Sequence, residues 1–331
     1  MNLSKLWKKG QDLLGTKYAI LGGAMSWVSE HNLVAAISNA GGFGVLACGS
    51  MTPELLEKEI KATQKLTDKP FGVNLITMHP ELDQLIETCK QHNISHVVLA
   101  GGLPKSYMVD ALKEANIKVI AFAPALIIAK KLVKMGVDGI VIEGMEAGGH
   151  IGPVSTLVLA QEILPSMHDI IPIFVAGGIG RGEAIAQFLK MGAAGCQLGT
   201  RFVCADESIA HENFKKLFLK SQARETTVSI QLDPTFPVIP VRAIANKGTQ
   251  EFAIAQRQAI DEYNKGNVSK EEAQLMIEKF WAGALRRAVI DGDVENGSVM
   301  AGQSVGMVSS KQPVAEIIEE LVAQTYVALE K

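Results

Sequence analysis

The chain has 331 residues, enough for two average domains or for one large α/β barrel. Its 32 Lys and Arg against 35 Asp and Glu leave a net charge of −3, so there is no basic field to hold nucleic acid or an anionic bilayer. With 47% hydrophobic, 20% charged and only 5% aromatic residues, it is too apolar for disorder and too poor in rings to stack single strands.

Met1 to Gly15 alternates Leu3, Leu6, Trp7, Leu13 and Leu14 with Lys5, Lys8 and Lys9, and lacks the unbroken apolar core of a secretion signal. Eight nearly continuous apolar runs then alternate with amphipathic stretches: Tyr18–Met25, Phe43–Cys48, Phe71–Ile76, His96–Ala100, Lys118–Ala123, Gly139–Glu143, Ile173–Ala176 and Cys196–Phe202. Such runs suit parallel strands covered on both faces. Helices are expected at Pro53–Leu66, Pro80–Gln91, Lys105–Ala115 and Ala125–Met135, several of them stopped by Met-Gly or Ala-Asn. Eight βα units predict a (β/α)8 barrel over residues 1–205, since closure removes both sheet edges, with a doubly wound open sheet as the competing topology.

Residues 206–282 read differently, as a smaller, mainly helical lid: Ala210–Arg224, a stretch bearing Pro234, Pro237 and Pro240, then Glu251–Asn264 and Ser269–Arg287. Residues 283–331 return to the barrel through a glycine-rich loop and a helix over Val314–Leu329. The longest apolar run, Val119–Ala129, contains Pro124 and falls short of the roughly 20 residues of a membrane span, so no membrane role is expected. Cys48, Cys89, Cys196 and Cys204 follow no metal-binding or Cys-x-x-Cys spacing and read as buried thiols of a cytoplasmic protein.

In a barrel of this kind the chemistry belongs at the C-terminal ends of the strands. After the seventh run stands Ala176-Gly177-Gly178-Ile179-Gly180, and after the eighth Gly199-Thr200-Arg201. Amides exposed by this pair of loops would seat the phosphate of a cofactor; the alternative is that the glycines only make tight turns. After the first run, Gly22-Gly23-Ala24-Met25-Ser26 is neither a Walker loop nor Gly-x-Gly-x-x-Gly, and its small residues leave room for a flat ring against the backbone. Asn74 ends the third run, either as an amide for a polar ring edge or as a turn residue. The sixth run leads into Glu143-Gly144-Met145-Glu146-Ala147-Gly148-Gly149-His150-Ile151-Gly152. His150 is the expected proton-handling residue, because His31, His79, His92, His96, His168 and His211 fall near helix surfaces or element boundaries. No zinc-ligand spacing and no nucleophile elbow is present.

From Tyr18 to Lys311 these loops, with Asn39-Ala40-Gly41-Gly42-Phe43-Gly44 and Asp68-Lys69-Pro70-Phe71-Gly72-Val73-Asn74, resemble the FMN-dependent nitronate monooxygenase (2-nitropropane dioxygenase) and enoyl-acyl-carrier-protein reductase II (FabK-type) family. Gly297-Ser298-Val299-Met300-Ala301-Gly302-Gln303 looks like that family's closing flavin loop. The resemblance implies FMN over the barrel mouth, its phosphate on Gly178, Gly199 and Thr200, and its ring framed by Ala24, Met25, Asn74 and Gly148. Met300 and Gln303 would close over the ring, His150 would stand beside the reactive flavin nitrogen, and Gly22, Gly23, Glu143, Gly149 and Gly177 complete the expected cofactor contacts. The form of the sixth loop is nearer the reductase branch. That branch implies hydride transfer from NADPH or NADH through FMN to a 2-enoyl thioester of acyl-carrier protein or CoA, with His150 stabilising or protonating the enolate. Nitronate oxidation with oxygen is the alternative, and a flavin-binding protein without turnover a weaker one. A homodimer is implied, and a monovalent cation is a further candidate cofactor. Ala100-Gly101-Gly102-Leu103-Pro104 and the proline-rich Leu232–Pro240 depart from the reductase pattern. Lys215, Lys216, Arg242, Lys247, Arg286 and Arg287 are expected either to form a docking patch for an acidic acyl carrier or to be a solvated face.

Overall fold

A computed structural model describes residues 2–233 and 238–330 of the chain. Its main sheet has eight parallel strands: β1 (Ile20–Gly22), β2 (Gly44–Ala47), β3 (Phe71–Ile76), β4 (His96–Ala100), β5 (Lys118–Phe122), β6 (Gly139–Glu143) and, after a two-residue strand β7 (Gly149–His150), β8 (Ile173–Ala176) and β9 (Gly195–Leu198). The spatial order follows the chain, β2-β3-β4-β5-β6-β8-β9-β1. A parallel bridge between Leu21 and Phe43 closes the circle, with Phe43 N donating to Ile20 O at 2.8 Å and Gly22 N to Phe43 O at 2.9 Å. This is the (β/α)8 barrel that the alternating runs predict.

Two runs are trimmed at the working end. Tyr18–Met25 yields only β1, and Cys196–Phe202 stops at Leu198, where Gly199 turns the chain into a 3₁₀ turn over Thr200–Phe202. The helix Pro53–Leu66 has its expected bounds: Thr52 Oγ1 accepts from Leu55 N and Pro53 opens the first turn, where its missing N–H is not needed.

Under the barrel, the helix Lys8–Leu14 places the Leu13 carbonyl against the N-terminal ends of two strands: Lys118 Nζ donates to it at 2.7 Å, and His96 Nε2 lies 2.8 Å away. At the side, the helix Val314–Glu330 packs on the helix Gly182–Lys190 so closely that a Cβ at Gly182 would stand 2.2 Å from Leu321 O. Gly182 N donates to Gln324 Oε1 and Thr325 Oγ1 donates to Gly182 O.

A second apolar core, Val241, Phe252, Ala259, Ile260, Ala273, Ile277 and Trp281, lies between the helices Lys247–Asn264 and Lys270–Val289, with the Phe252 and Trp281 rings 4.2 Å apart. Phe214 and Phe218 of the helix Glu212–Lys220 are buried in the barrel's own core instead. The two bodies are stitched by a small antiparallel sheet of β10 (Thr226–Val228), β11 (Val241–Ile244) and β7. Pro234 and Pro237 lie outside the described residues. Among the described residues no helix is long and apolar enough to cross a membrane, and all four cysteines are buried thiols.

Candidate functional site

Four segments far apart in the chain interlock at the C-terminal rim of the barrel. Gly302 N donates to Thr200 Oγ1 at 3.0 Å, and Gln303 N donates to Glu146 O at 2.9 Å. A Cβ at Gly148 would stand 2.5 Å from Gly302 N, so only glycine lets the β6 loop and the Val299–Gln303 segment approach this closely. Glu146 Oε2 accepts from both Thr156 N and Thr156 Oγ1 at 2.9 Å, which caps the helix Thr156–Met167. The loop after β8 reaches the same carboxylate stem: Gly178, at φ +71°, would place a Cβ 2.9 Å from Glu146 Cβ.

This rim leaves donors in hand. The N–H groups of Gly178, Ile179, Gly199 and Thr200 bond no other described residue, although Gly199 O and Thr200 O both accept from within the following turn. Unpaired amides on two loops that follow neighbouring strands are the kind of donors a phosphate takes. Gly22 and Gly23 differ: a Cβ at Gly22 would strike Ile37 Cδ1 at 2.5 Å, and Gly23 N is committed to Leu198 O at 2.8 Å. The smallness of Gly22 serves the barrel wall, whereas a Cβ at Gly23 would meet Gln197 and Leu198 O only at 3.5 Å. Ala24 and Met25 are half-buried beyond them, Met25 held by its N–H to Ser29 Oγ at 3.0 Å, with Met25 Sδ 3.4 Å from the Cβ position of Gly199.

Asn74 is buried on β3, and its Nδ2 donates to Val98 O at 2.9 Å, which fixes the plane of the carboxamide. Glu143 ends β6 half-buried, and burial pushes its carboxyl up to about 8, so it is a neutral donor at pH 7. Gly177, at φ +97°, would place a Cβ 2.9 Å from Gly144 O and Thr156 Oγ1. Gly149, also left-handed at φ +79°, has Met300 Sδ 3.6 Å from its Cβ position. His150 is exposed and stands on β7 rather than on a barrel strand, paired across the small sheet with Val241, while Ile151 N donates to Pro240 O at 2.9 Å.

The six basic residues are not all on the surface. Lys215 is 4% exposed, with Nζ donating to Ala205 O and Ser208 O, and Arg242 is 4% exposed, with Nε on Met145 O and Nη1 on Thr226. Lys247 pairs with Glu295, Arg286 with Asp291, and Arg287 Nη2 donates to Asn296 O; Lys216 is exposed. Neither a docking patch nor a solvated face holds for Lys215 and Arg242, which are buried and consumed by backbone carbonyls, while Lys247 and Arg286 sit in exposed ion pairs.

Other features of the rim carry no sequence signal. Trp27, directly after the β1 loop, sits at φ +66°, a strained setting for a bulky side chain, and its Nε1 is buried without a partner. Nearby, His31 Nδ1 lies 2.8 Å from both Glu30 Oε2 and Glu59 Oε2, a grouping hidden in sequence because residues 30 and 59 begin and line different helices. Glu30 is the cap of the helix His31–Asn39, accepting from Asn32 N and Leu33 N.

The nitronate monooxygenase family model matches residues 8–99 and 81–324. FabK from Thermotoga maritima superposes with a TM-score of 0.85 at 35% identity, over 97% of this chain and 96% of that one. A nitroalkane oxidase from Streptomyces ansochromogenes superposes at 0.77 with 25% identity, over 96% and 98%. A hydroxy-methyl-oxo-octahydro-indene-carboxyl-CoA dehydrogenase of Rhodococcus jostii is 29% identical over 94% of each chain. With a barrel rim of free amides and a family match along nearly its whole length, this chain belongs to the nitronate monooxygenase family and is a flavin-dependent oxidoreductase.

Proposed function

We propose that the protein is an FMN-dependent reductase of 2-enoyl thioesters that draws its hydride from NADPH or NADH. The observation that carries this reading is the Glu143–Gly152 loop, whose sequence resembles the reductase branch more than the monooxygenase branch and whose glycine at 148 locks against Gly302 while His150 and Met300 lie along one strand edge. The 35% identity with FabK and the 29% identity with a carboxyl-CoA dehydrogenase support it.

In this reading the amides of Gly178, Ile179, Gly199 and Thr200 hold the FMN phosphate, Ala24, Met25, Asn74 and Gly148 frame the ring, and Met300 and Gln303 close the rim. Bound FMN supplies hydride relay between the nicotinamide and the β-carbon of the thioester. His150 donates a proton toward the thioester oxygen or the α-carbon as enolate charge builds, and one such donor is worth about 3–4 kcal/mol. The neutral Glu143 carboxyl offers a second donor from the barrel wall, and Asn74, its plane set by Val98, a polar edge of fixed direction. The acyl group arrives on CoA or on an acyl-carrier protein.

Nitronate oxidation is the second reading, favoured by the family model and the nitroalkane oxidase likeness. Anaerobic stopped-flow spectra separate the two. Bleaching of the flavin by NADPH or NADH, followed by recovery with crotonyl thioester, is expected; bleaching by propionate 3-nitronate alone, with both nicotinamides inert, overturns the reductase reading in favour of the oxidase.

A further inference from the structure

We infer that Arg242 is a positioning residue whose guanidinium sets His150 against the Val299–Gln303 loop. The inference rests on the role proposed above for His150. The strand β11 has only four residues, yet one of its edges carries both halves of the rim. Val241 and Arg242 pair with His150 and Gly149; next along the same strand Ala243 bridges Met300, and Ile244 N donates to Val299 O at 2.9 Å. The spacing of His150 from Met300 is therefore ruled by β11. A two-residue ladder is too short to hold that register alone.

The Arg242 side chain supplies the missing constraint. Nε donates to Met145 O at 2.9 Å, inside the β6 loop, and Nη1 donates to Thr226 O at 3.3 Å and Thr226 Oγ1 at 3.2 Å, on β10. A planar fork reaches the two segments in fixed directions, which a flexible ammonium does not reproduce. Burying a guanidinium against neutral carbonyls is costly where an apolar side chain would fill the same space. The Glu146 carboxylate, which itself accepts Thr156 from the same loop, offsets part of that cost. The costly choice has a result: the loop bearing His150 is tied to β10 and β11 at a point five residues before the imidazole.

The test is a double-mutant cycle on the full-length protein, with one readout that needs no flavin. Arg242→Ala should lower turnover of whichever substrate the wild type accepts by about 10- to 100-fold with the nicotinamide KM within about twofold. Guanidinium ion should restore part of the loss, and Arg242→Lys should remain impaired. In the His150→Ala background, removing Arg242 should cost less than about twofold further. In the flavin-free protein, Arg242→Ala should raise hydrogen exchange at the Ile151 amide at least 10-fold while the amides of β3 and β4 keep their protection. Should Arg242→Ala not fold, Thr226→Val, which deletes the Arg242 acceptor along with the hydroxyl's own bond to Ala223 O and keeps a β-branched shape, takes its place, with a loss of about twofold to fivefold in turnover. Wild-type turnover in Arg242→Ala, or in Thr226→Val where that stands in for it, overturns the inference and leaves His150 in place. A full additional loss in the His150→Ala background also overturns it, because Arg242 then acts by another route. A fully active His150→Ala protein defeats the functional reading, and with it this one, and that single variant shows which has failed.

Discussion

The two ends of the barrel are made from the same eight strands and treat their polar groups in opposite ways. At the N-terminal end the polar groups around His96 are used: the Leu13 carbonyl takes Lys118 and lies against His96, His96 Nδ1 is 2.9 Å from Ser95 Oγ, Ser95 Oγ donates to Phe71 O, and the His96 ring meets Phe43 edge-on at 4.8 Å. At the C-terminal end amides of Gly178, Ile179, Gly199 and Thr200 are uncommitted, Gly177 and Gly178 sit in the left-handed region, and the Glu143 carboxyl is held neutral. An end that only has to be stable consumes its donors; an end that has to bind keeps them.

The strongest way to break this contrast exchanges the two histidines as targets. His150→Ala should cut turnover about 10²- to 10³-fold and leave the melting temperature of the apoprotein within a degree or two of wild type, since the side chain is exposed. His96→Ala should do the reverse, lowering stability by about 2–4 kcal/mol in urea titrations with turnover nearly kept, because it leaves a cavity against Phe43 and removes a partner from Leu13. If the two variants behaved alike, the division of labour between the ends would fail.

Next in size is Gly148→Ala. A Cβ there has 2.5 Å to Gly302 N and 2.6 Å to Ala301 C, both backbone, so the Val299–Gln303 segment must retreat. Flavin affinity, measured by fluorescence titration of the apoprotein, should fall at least 10-fold, whereas Gly136→Ala, whose added Cβ meets nothing within 4 Å, should leave it unchanged despite φ +83°.

Acid sharpens the contrast from below. Burial lowers His96 to about 4 from its ordinary 6.5, so the folded state holds it neutral while the unfolded chain takes up a proton as the pH falls below 6.5. More protons on the unfolded state means that stability rises with pH, and the contribution is lost progressively between about pH 6.5 and 4, by up to about 3 kcal/mol. Urea midpoints measured across that range should slope for the wild type and flatten for His96→Gln.

Most of the barrel was legible because period and burial are local: Phe71–Ile76, His96–Ala100, Gly139–Glu143 and Ile173–Ala176 match their strands end for end. The two glycine loops proposed to hold a phosphate were legible for the same reason, since they directly follow two strands. What stayed hidden depends on contact between distant segments. Arg242 reads as one more surface cation until β11 is seen pairing with β7, and Lys215 reads likewise until Ala205 and Ser208 are found to turn their carbonyls inward. The capping role of Glu146, the strain at Trp27 and the plug made by Leu13 share that character.

The smallest expected effect concerns Glu143 and tests the working end by the same linkage with opposite sign. Its folded carboxyl is pushed up to about 8 by burial, above its ordinary 4.5, so here the folded state holds the extra proton. The stability this proton accompanies is present below about pH 4.5 and is lost as the pH climbs from there through 8. Glu143→Gln keeps the shape and the donor and removes the titration, so the apoprotein should become more stable than wild type at pH 8 by roughly 1–2 kcal/mol, water at the open mouth moderating the full linkage. At pH 5 the two should be nearly level. An unchanged midpoint at both values would mean that the carboxyl is solvated and ionised, and the barrel wall would then face the cofactor with a charge where the neutral donor is expected.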